Sequence, residues 1–392
     1  MANRALIAGA GLGGLAAALA CTRAGYAAQV FEQASQLSEV GAGIQLGPNA
    51  TRILLRWGLG PAFGRVAAYP AQLRVRSALT GDELGCLRLG DAIAQRYGAP
   101  YATVHRADLQ QLLLDAVNST GVELRLSCRV AGVTSSTGCI TLQTPLPLEA
   151  TVEGDLLAGA DGLWSSVRHE VWGDGMPVAT GHVAYRSLVA QAELPAALRS
   201  HDIAVWLGPR MHLVAYPVRA GELLNVVAIV QGEVRAHWQD WDHAGAAADL
   251  HAALGRMSAP LRDLVNAMPA WRMWPLHERP PLRSADEMVR GRVALVGDAA
   301  HPMRPYFAQG AGMAIEDADE LGRCLSLARD RAQVPGALQR YAANRWQRNA
   351  RVQRRSARNG RIFHATGPMR LGRDLALKVL GERLLDADWL YR

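Results

Sequence analysis

The spacing of apolar and polar residues changes twice along the chain, and each change predicts a different kind of structure. Ala5–Ala8 is a short apolar run that meets a cluster of glycines, and an Ala/Leu-rich segment from about Gly13 to Ala24 follows. This order predicts a strand, a tight turn and a helix. Further buried strands are predicted over Ala28–Phe31 and Arg292–Val296. Between about Val178 and Trp274, four strands separated by turns are predicted instead.

This order of elements predicts an α/β fold, in which a Rossmann-like domain carries an inserted, mostly antiparallel β-sheet and is followed by C-terminal helices. A chain of 392 residues is long for one hydrophobic core. We therefore expect a discontinuous first domain over residues 1–175 and 275–340, an inserted sheet over 176–274, and a C-terminal helical segment over 341–392.

The first glycine cluster fits the spacing G-x-G-x-x-G, with Gly9, Gly11 and Gly14 at the three glycine positions. The first glycine permits the turn, the second lets the backbone approach a pyrophosphate, and the third lets the helix pack against the strand. Glu32 ends the second strand 18 residues after Gly14, where an acceptor for ribose hydroxyls is expected. The alternatives are an ordinary turn and an incidental surface carboxylate, and the motif alone suits NAD or FAD equally.

Three later segments place polar groups where strands meet helices. Arg106 stands at a helix entrance and suits a phosphate or ribityl contact, although a surface salt bridge is an equal alternative. In Asp161–Arg168, the aspartate can accept from backbone N–H groups and lock the turn, and the arginine can reach an anion. Asp298 follows a buried strand. Gly310–Gly312 begin a helix whose N-terminus suits an anion.

Charge and cysteine content narrow the class of protein. The net charge of +7 comes mainly from one segment, since Asp330 is the only acidic residue between Glu320 and Asp374. The arginines there favour a solvated or oligomer-facing helix face over a site for an anionic substrate, and nucleic-acid binding is disfavoured. They are Arg345, Arg348, Arg351, Arg354, Arg355, Arg358 and Arg361. Five scattered cysteines and the lack of a long apolar run predict a cytoplasmic protein without disulfides, a metal site or a stable membrane insertion.

Three motifs in one order, with Arg106 and the inserted sheet, give the chain a family resemblance. The motifs are the first glycine cluster with Glu32, Asp161-Gly162 with Arg168, and Gly297-Asp298 with His301-Pro302. Together they resemble the single-component flavoprotein aromatic hydroxylases of the para-hydroxybenzoate hydroxylase-like family. Within this family, the chain is most similar to the enzymes acting on salicylate, 3-hydroxybenzoate and 6-hydroxynicotinate. Three stretches carry this similarity, namely Gly41–Gln45, His212-x-x-x-Tyr216-Pro217 and Ala308–Ala318. From its residues alone, the first of these stretches is predicted to be part of a loop that continues to Asn49.

The resemblance implies an FAD-binding first domain and a substrate-binding inserted sheet. Glu32 would face the adenosine ribose, and Asp161 would support the FAD site. Arg106 and Asp298 would hold the pyrophosphate and ribityl region, and Pro302 would lie beside the reacting flavin carbon. Backbone groups would face the pyrophosphate at Gly9, Gly11 and Gly14, and the flavin pyrimidine at Gly310, Ala311 and Gly312.

The chemistry implied is hydroxylation of a small phenolic or hydroxy-N-heteroaromatic acid. NADH or NADPH would reduce FAD, and O₂ would add to give a flavin C4a-hydroperoxide. Attack on this electrophile needs an electron-rich ring, so a base must remove the phenolic proton. His212 is the candidate base, Tyr216 lies on the same strand face and could orient the substrate, and Tyr306 is a third candidate. The alternatives are a reductase or epoxidase of the same fold, and a non-catalytic flavin-binding protein with an acidic partner; a homodimer is left open.

Overall fold

This computed structural model describes residues 3–37, 42–135, 139–144, 150–232 and 243–392. Within these residues the chain forms a series of short and medium-length strands. They are β1 (Arg4–Ala8), β2 (Ala27–Phe31), β3 (Gly43–Leu46), β4 (Gln72–Ser77), β5 (Glu83–Arg88), β6 (Ala102–His105), β7 (Glu123–Arg125), β8 (Gly132–Ser135), β9 (Ile140–Thr144), β10 (Ala150–Gly154), β11 (Leu156–Gly159), β12 (Val178–Ala190), β13 (Ile203–Gly208), β14 (Met211–Val218), β15 (Leu223–Gln231), β16 (His243–Gly245), β17 (Trp271–Glu278), β18 (Val289–Arg290) and β19 (Val293–Leu295).

The helices include short connectors and one long C-terminal helix. They are α1 (Leu12–Arg23), α2 (Pro48–Arg56), α3 (Gly60–Val66), α4 (Gly90–Tyr97), α5 (Arg106–Asn118), α6 (Ser166–Trp172), α7 (Ala247–Leu254), α8 (Ala259–Asn266), α9 (Gly310–Leu325), α10 (Val334–Phe363), α11 (Gly367–Leu380), α12 (Glu382–Leu385) and α13 (Asp388–Tyr391). In the part of the chain that the structure describes, none of them combines the length and the apolar character needed to cross a bilayer.

The described chain forms two compact units. The first unit comprises Met1–Glu39, Leu109–Val178 and Glu278–Ser356, and the second comprises Val40–Asp108, Ala179–His277 and Ala357–Arg392. The mixture of sheets and helices confirms the predicted α/β fold class. The division differs from the predicted boundaries, which assigned residues 40–108 to the first domain. The physical reason is strand pairing, since β4 continues the inserted sheet by pairing in parallel with β13.

The first unit is built on a six-stranded sheet in the order β18-β19-β11-β1-β2-β7, in which the pairs from β19 to β7 are parallel. Helices α1 and α9 pack side by side through small residues. A Cβ built on Gly13 would lie 3.5 Å from the Ala314 Cβ, and one built on Gly322 would lie 2.9 Å from the Ala20 carbonyl oxygen. The first contact joins the beginnings of the two helices and the second joins their ends, so α1 and α9 run in the same direction.

The second unit contains an eight-stranded sheet in the order β16-β17-β12-β15-β14-β13-β4-β5. Met211, Leu213 and Ala215 of β14 point into a hydrophobic core shared with side chains of α7 and α8. Because side chains alternate along a strand, His212 and Tyr216 point to the opposite face. We call this opposite face of the sheet the polar face.

The stretch predicted as a loop around Gly41–Asn49 contains a strand, which corrects that expectation. Gly41 lies outside the described residues, but Gly43–Leu46 form β3, which pairs with β6. The glycine at position 43 allows a close approach: a Cβ there would lie 2.6 Å from the Tyr216 ring and 2.8 Å from the side-chain amide carbon of Asn225. The close neighbour of Gly43 is therefore the protein's own polar face.

The sequence predicts that the arginines of α10 form one solvated or oligomer-facing face, and the structure differs at one end of that series. Arg351, Arg354, Arg358 and Arg361 are exposed, but Arg345 is buried. Its buried side also carries polar residues at helical spacing, namely Asn349, Gln353 and Ser356. Part of the arginine series is therefore used inside the protein rather than on its surface.

Candidate active site

Four predicted cofactor residues follow four parallel strands of the first unit. Gly9, Glu32, Asp161 and Asp298 come after β1, β2, β11 and β19, so the carboxyl ends of these strands bring them to one edge of the sheet. A pocket opens at this edge. Its lining consists of Ala8, Gly9, Gly11, Phe31, Glu32, Gln33, Cys128, Arg129, Val130, Ala160, Asp161, Gly162 and Ser166.

The glycine turn between β1 and α1 forms a cradle of backbone. A Cβ on Gly14 would lie 1.9 Å from the Gly9 carbonyl oxygen, and Gly9 itself has φ +95°, so both positions require glycine. Gly11 differs, since a Cβ there would meet nothing within 4 Å. No side chain caps the start of α1, so its first N–H groups remain available to an anion beside Gly11.

Glu32 is held by backbone donors at the mouth of this turn. Its Oε2 accepts from the Ala10 N–H at 2.7 Å and its Oε1 from the Ala34 N–H at 2.9 Å. On the other side, the Gln110 side-chain amide donates to the Ala10 carbonyl at 3.0 Å. Gln110 was not predicted, because a glutamine on a helix carries no motif that marks it.

A second helix N-terminus lies at the same end of the first unit. Helix α9 begins at Gly310 without a side-chain cap, and it runs parallel to α1. A Cβ on Gly310 would lie 4.0 Å from Oδ1 of Asp298, which places that carboxylate beside the start of α9. Two positive helix ends therefore point to one edge of the sheet, which suits an elongated ligand with more than one negative group.

Asp161 locks the start of α6. Its Oδ1 accepts from the Ser165 hydroxyl at 2.6 Å, and its Oδ2 accepts from the Val167 N–H at 3.0 Å. Arg168 is buried, and the anion it reaches is the protein's own Asp174, at 2.8 Å from its Nε. The carboxylate of Asp161 therefore supports the pocket by holding the turn that lines it.

Buried side chains hold the carbonyls of the loop after β19. Arg168 Nη1 donates to the carbonyls of Ala299 at 3.1 Å and Ala300 at 2.6 Å, and Gln353 Nε2 donates to the Pro302 carbonyl at 3.1 Å. The Ser356 hydroxyl donates to the carbonyl of Arg304. We call residues 299–304 the clamped loop. Gln353 and Ser356 were missed because they lie far from the loop in sequence, and Arg168 was predicted to reach an anion rather than to hold these carbonyls.

Tyr306 follows the clamped loop in a 3₁₀ turn and is 3% exposed. Burial raises the pKa of its hydroxyl above the ordinary value. At neutral pH the group therefore stays protonated and is suited to donating a hydrogen bond rather than to acting as a base.

A buried charge network joins α9 to α10 beneath the clamped loop. Asp317 is fully buried and accepts from the Gly297 N–H at 3.1 Å, His301 Nε2 at 2.5 Å, Arg345 Nε at 2.8 Å and Asn349 Nδ2 at 3.0 Å. Burial pushes the pKa of Asp317 upward, but the charges of His301 and Arg345 outweigh it, and the net pKa lies well below the ordinary value. Asp317 is therefore an anion that holds this part of the unit together.

The second unit brings His212 and Tyr216 together on the polar face. Tyr216 pairs with Asn225 of β15, and Asn225 pairs with Leu188 of β12. Arg186 lies two residues from Leu188 along β12 and therefore on the same face. The guanidinium carbon of Arg186 lies 5.1 Å from the Trp274 ring centroid. Neither Asn225 nor Arg186 was predicted, because only the strand register shows which residues face His212.

His212 is buried, and its Nδ1 lies 2.9 Å from Nε2 of His364. Burial, and then the charges of His364 and His182, hold the pKa of His212 well below its usual value. The imidazole is therefore neutral at pH 7 and carries a basic nitrogen. Burial likewise raises the pKa of Tyr216, which keeps that hydroxyl protonated.

The remaining predicted residues divide between the units. Arg106 is the first residue of α5 and belongs to the second unit. Its N–H donates to the Ala42 carbonyl at 2.7 Å. Pro302 and Tyr306 belong to the first unit, whereas His212 and Tyr216 belong to the second. The contact of Arg106 with a pyrophosphate and the meeting of the four catalytic candidates around one substrate remain predictions.

The first unit's cradle fits FAD, since it offers uncapped helix N–H groups for the pyrophosphate and an oriented carboxylate for the ribose. Residues 3–356 match the FAD binding domain family. The chain is 38% identical to a 3-hydroxybenzoate 6-hydroxylase of Polaromonas naphthalenivorans, over 98% of this chain and 95% of the relative. It is 34% identical to a 6-hydroxynicotinate 3-monooxygenase of Pseudomonas fluorescens, over 91% of each.

A solved structure of an FAD-binding protein has the same fold as this chain. Klebsiella pneumoniae HpxO, crystallised with FAD and uric acid, superposes with a TM-score of 0.85 at 25% identity, covering 98% of this chain and 94% of that one. The resemblance drawn from the motifs and the assignment of FAD as cofactor are thereby confirmed. The chain belongs to the FAD binding domain family of flavoprotein aromatic hydroxylases.

Proposed function

We propose that this enzyme hydroxylates a small aromatic acid that already carries a ring hydroxyl, either a hydroxybenzoate or a hydroxynicotinate, on the polar face of the second unit. The names of the relatives support this substrate class. The FAD cofactor, with NADH or NADPH as reductant and O₂ as oxidant, supplies the oxygen-transfer chemistry when bound. Gly9, Gly11, Glu32 and Asp298 are the proposed residues that hold it.

The observation that carries the proposal is a buried donor on the polar face. Asn225 is fully buried, and its Oδ1 accepts from the Gly43 N–H at 3.0 Å. Within the described residues, its Nδ2 has no hydrogen-bond partner. An unpaired buried donor costs about 1 to 3 kcal/mol, so a ligand acceptor beside Tyr216 and His212 would relieve that cost.

Arg186 supports an anionic substrate. Arg186 is 7% exposed and lies on the same face as His212 and Tyr216. It also opposes the effect of burial on Tyr216, because its positive charge lowers the pKa of that hydroxyl. We propose that Arg186 and Asn225 receive the substrate carboxylate. Arginine suits this role because its planar donors match the geometry of a carboxylate.

His212 is the proposed base. A neutral buried imidazole can take the phenolic proton, which leaves an electron-rich ring for hydroxylation. The proposal fixes the direction of the pH dependence: activity is lost as the pH falls through the pKa of His212. Because that pKa lies well below 6.5, the acidic limb of kcat/KM should also lie below pH 6.5.

The test is a panel of phenolic acids with the FAD-loaded enzyme. 3-Hydroxybenzoate, salicylate, 6-hydroxynicotinate and 3-amino-4-hydroxybenzoate should be compared for stimulation of NADH and NADPH oxidation, with products identified by mass spectrometry. A hydroxylated product from at least one acid supports the proposal. Oxidation that yields only H₂O₂ with every acid would refute it.

The base assignment has a separate test. His212→Ala should lower the rate of product formation by about 100-fold or more while the flavin content stays the same. His201→Ala is the matched control, because His201 is an exposed histidine of the same unit. Unchanged product formation in His212→Ala would remove His212 as the base.

A further inference from the structure

A second buried histidine occupies one ring nitrogen of His212. Nδ1 of His212 and Nε2 of His364 are 2.9 Å apart, and their ring centroids are 5.1 Å apart. The ring of His364 also meets the His182 ring edge-on at 5.0 Å. His364 is 5% exposed. The two rings in the hydrogen bond come from positions 152 residues apart in the sequence, so the pair exists only in the folded chain.

The backbone around His364 is anchored on both sides. Its N–H donates to the Gly360 carbonyl at 3.1 Å, and its carbonyl accepts from the Arg210 N–H at 3.1 Å. Arg373 donates to the Phe363 carbonyl at 2.6 Å, at the end of α10. The Phe363 ring packs against His212 with centroids 5.3 Å apart. His364 is therefore held in place independently of any ligand.

A hydrogen bond between two neutral imidazoles can form in two ways, because one ring must donate its N–H and the other must accept it. If His212 donates through Nδ1, its Nε2 carries the lone pair and can take a proton. If His364 donates through Nε2, then Nε2 of His212 carries a hydrogen and is not a base. The direction of this one hydrogen bond therefore decides whether His212 can act.

We propose that His364 is a positioning residue that accepts the Nδ1 hydrogen of His212 and so keeps His212 Nε2 free as the base. This inference rests on the proposed role of His212. In the proton transfer, the substrate O–H bond breaks and a bond from that hydrogen to Nε2 forms. The O–H electron pair stays on the phenolate oxygen. The positive charge resides on the paired imidazoles.

The titratable neighbours of His212 are consistent with this arrangement. Among the described groups, the two whose charges lower the pKa of His212 are His364 and His182, and burial acts in the same direction. The protonated form of either neighbour therefore opposes protonation of His212. The pair takes up protons as a coupled system rather than as two independent groups.

Two variants of His364 separate positioning from packing. His364→Phe keeps a ring but removes the acceptor, and His364→Gln offers an amide oxygen that can accept the same hydrogen. We expect His364→Phe to lower kcat by about tenfold or more with little change in KM, and His364→Gln to recover most of the loss. An exposed substitution, His201→Phe, is the control.

A second measurement needs neither substrate nor turnover. Long-range ¹H–¹⁵N spectra of histidine-labelled enzyme report which ring nitrogen carries the hydrogen, and the His212 signals can be assigned by their loss in His212→Ala. The Nδ1–H form should dominate in the wild type and in His364→Gln. In His364→Phe, it should give way to a mixture of both forms.

Several outcomes would overturn the inference. They are an Nε2–H form of His212 in the wild type, an unchanged tautomer in His364→Phe, and failure of His364→Gln to restore kcat. These outcomes differ from failure of the proposed function, in which His212→Ala itself would leave product formation unchanged. If His212→Ala is inactive and His364→Phe is fully active, only the role of His364 falls.

Discussion

Replacing Asp317 with asparagine should destabilise the first unit strongly. The substitution keeps the size of the side chain but removes the negative charge that His301 and Arg345 share. Arg345 is buried and keeps Glu316 as a second partner, through a 2.6 Å hydrogen bond from its Nη1. In the variant, Arg345 therefore keeps only one of its two carboxylate partners, and the Gly297 N–H donates to a neutral amide oxygen instead of a carboxylate.

The size of the effect follows from burial. Removing one partner of a buried ion pair costs about 3 to 5 kcal/mol, and the complete burial of Asp317 places it in that class. For a unit of this size, that loss corresponds to a fall of about 6 to 20 °C in the thermal midpoint. A substitution at an exposed position changes the free energy of unfolding by about 0.5 kcal/mol or less, so Asp115→Asn, at an exposed position of α5 in the same unit, is the control.

The pH dependence gives a second signature. The folded-state pKa of Asp317 is depressed, so its contribution is fully present above the unfolded-state value of about 3.9 and is lost as the pH falls from there toward the folded pKa. The difference in stability between the wild type and Asp317→Asn should therefore be greatest at neutral pH. It should shrink as the pH falls below about 4.

Thermal unfolding followed by circular dichroism between pH 3 and pH 7 measures both effects. Flavin fluorescence, recorded in the same scans, reports release of the cofactor. A midpoint for Asp317→Asn within about 2 °C of the Asp115→Asn control at pH 7 would refute the assignment of Asp317 as an essential buried anion. A stability difference that persists unchanged below pH 4 would refute the electrostatic origin of the effect.

Other predictions concern glycines. Gly14→Ala forces a Cβ to within 1.9 Å of the Gly9 carbonyl oxygen and should lower both the thermal midpoint and the flavin content of the purified protein. Gly11→Ala meets nothing within 4 Å and should keep the midpoint of the cofactor-free protein but lose flavin, as a flavin-to-protein absorbance ratio would report. In Gly43→Ala, the new Cβ would lie 2.6 Å from the Tyr216 ring and displace it, which should raise KM for the aromatic acid without changing the flavin content. An unaltered KM would count against the polar face as the substrate site.

Features set by neighbouring residues could be predicted from the sequence. The strand, turn and helix around Gly9–Gly14 depend on local spacing, and so does the position of Glu32 at the end of β2. Asp298 could be placed at the sheet edge because any residue after a parallel strand lies there. These predictions needed no knowledge of which distant segments touch.

Features set by contacts between distant segments could not be predicted in this way. The arginine repeats on α10 indicated an exposed helix face. Arg345 is instead buried, because it forms an ion pair with Asp317 of α9. Nothing near Gln353 indicates that it holds the carbonyl of Pro302. The partner of His212 lies 152 residues away, and only the folded chain brings His364 to it.

The alternation along β14 gives the two faces of one strand different roles. Met211, Leu213 and Ala215 serve the core, whereas His212 and Tyr216 lie on the proposed substrate side. A substitution at His212 or Tyr216 can therefore change the chemistry presented to a ligand while the core side chains of the same strand stay in place. Deleting one residue in this strand would exchange the two faces and lose both functions at once.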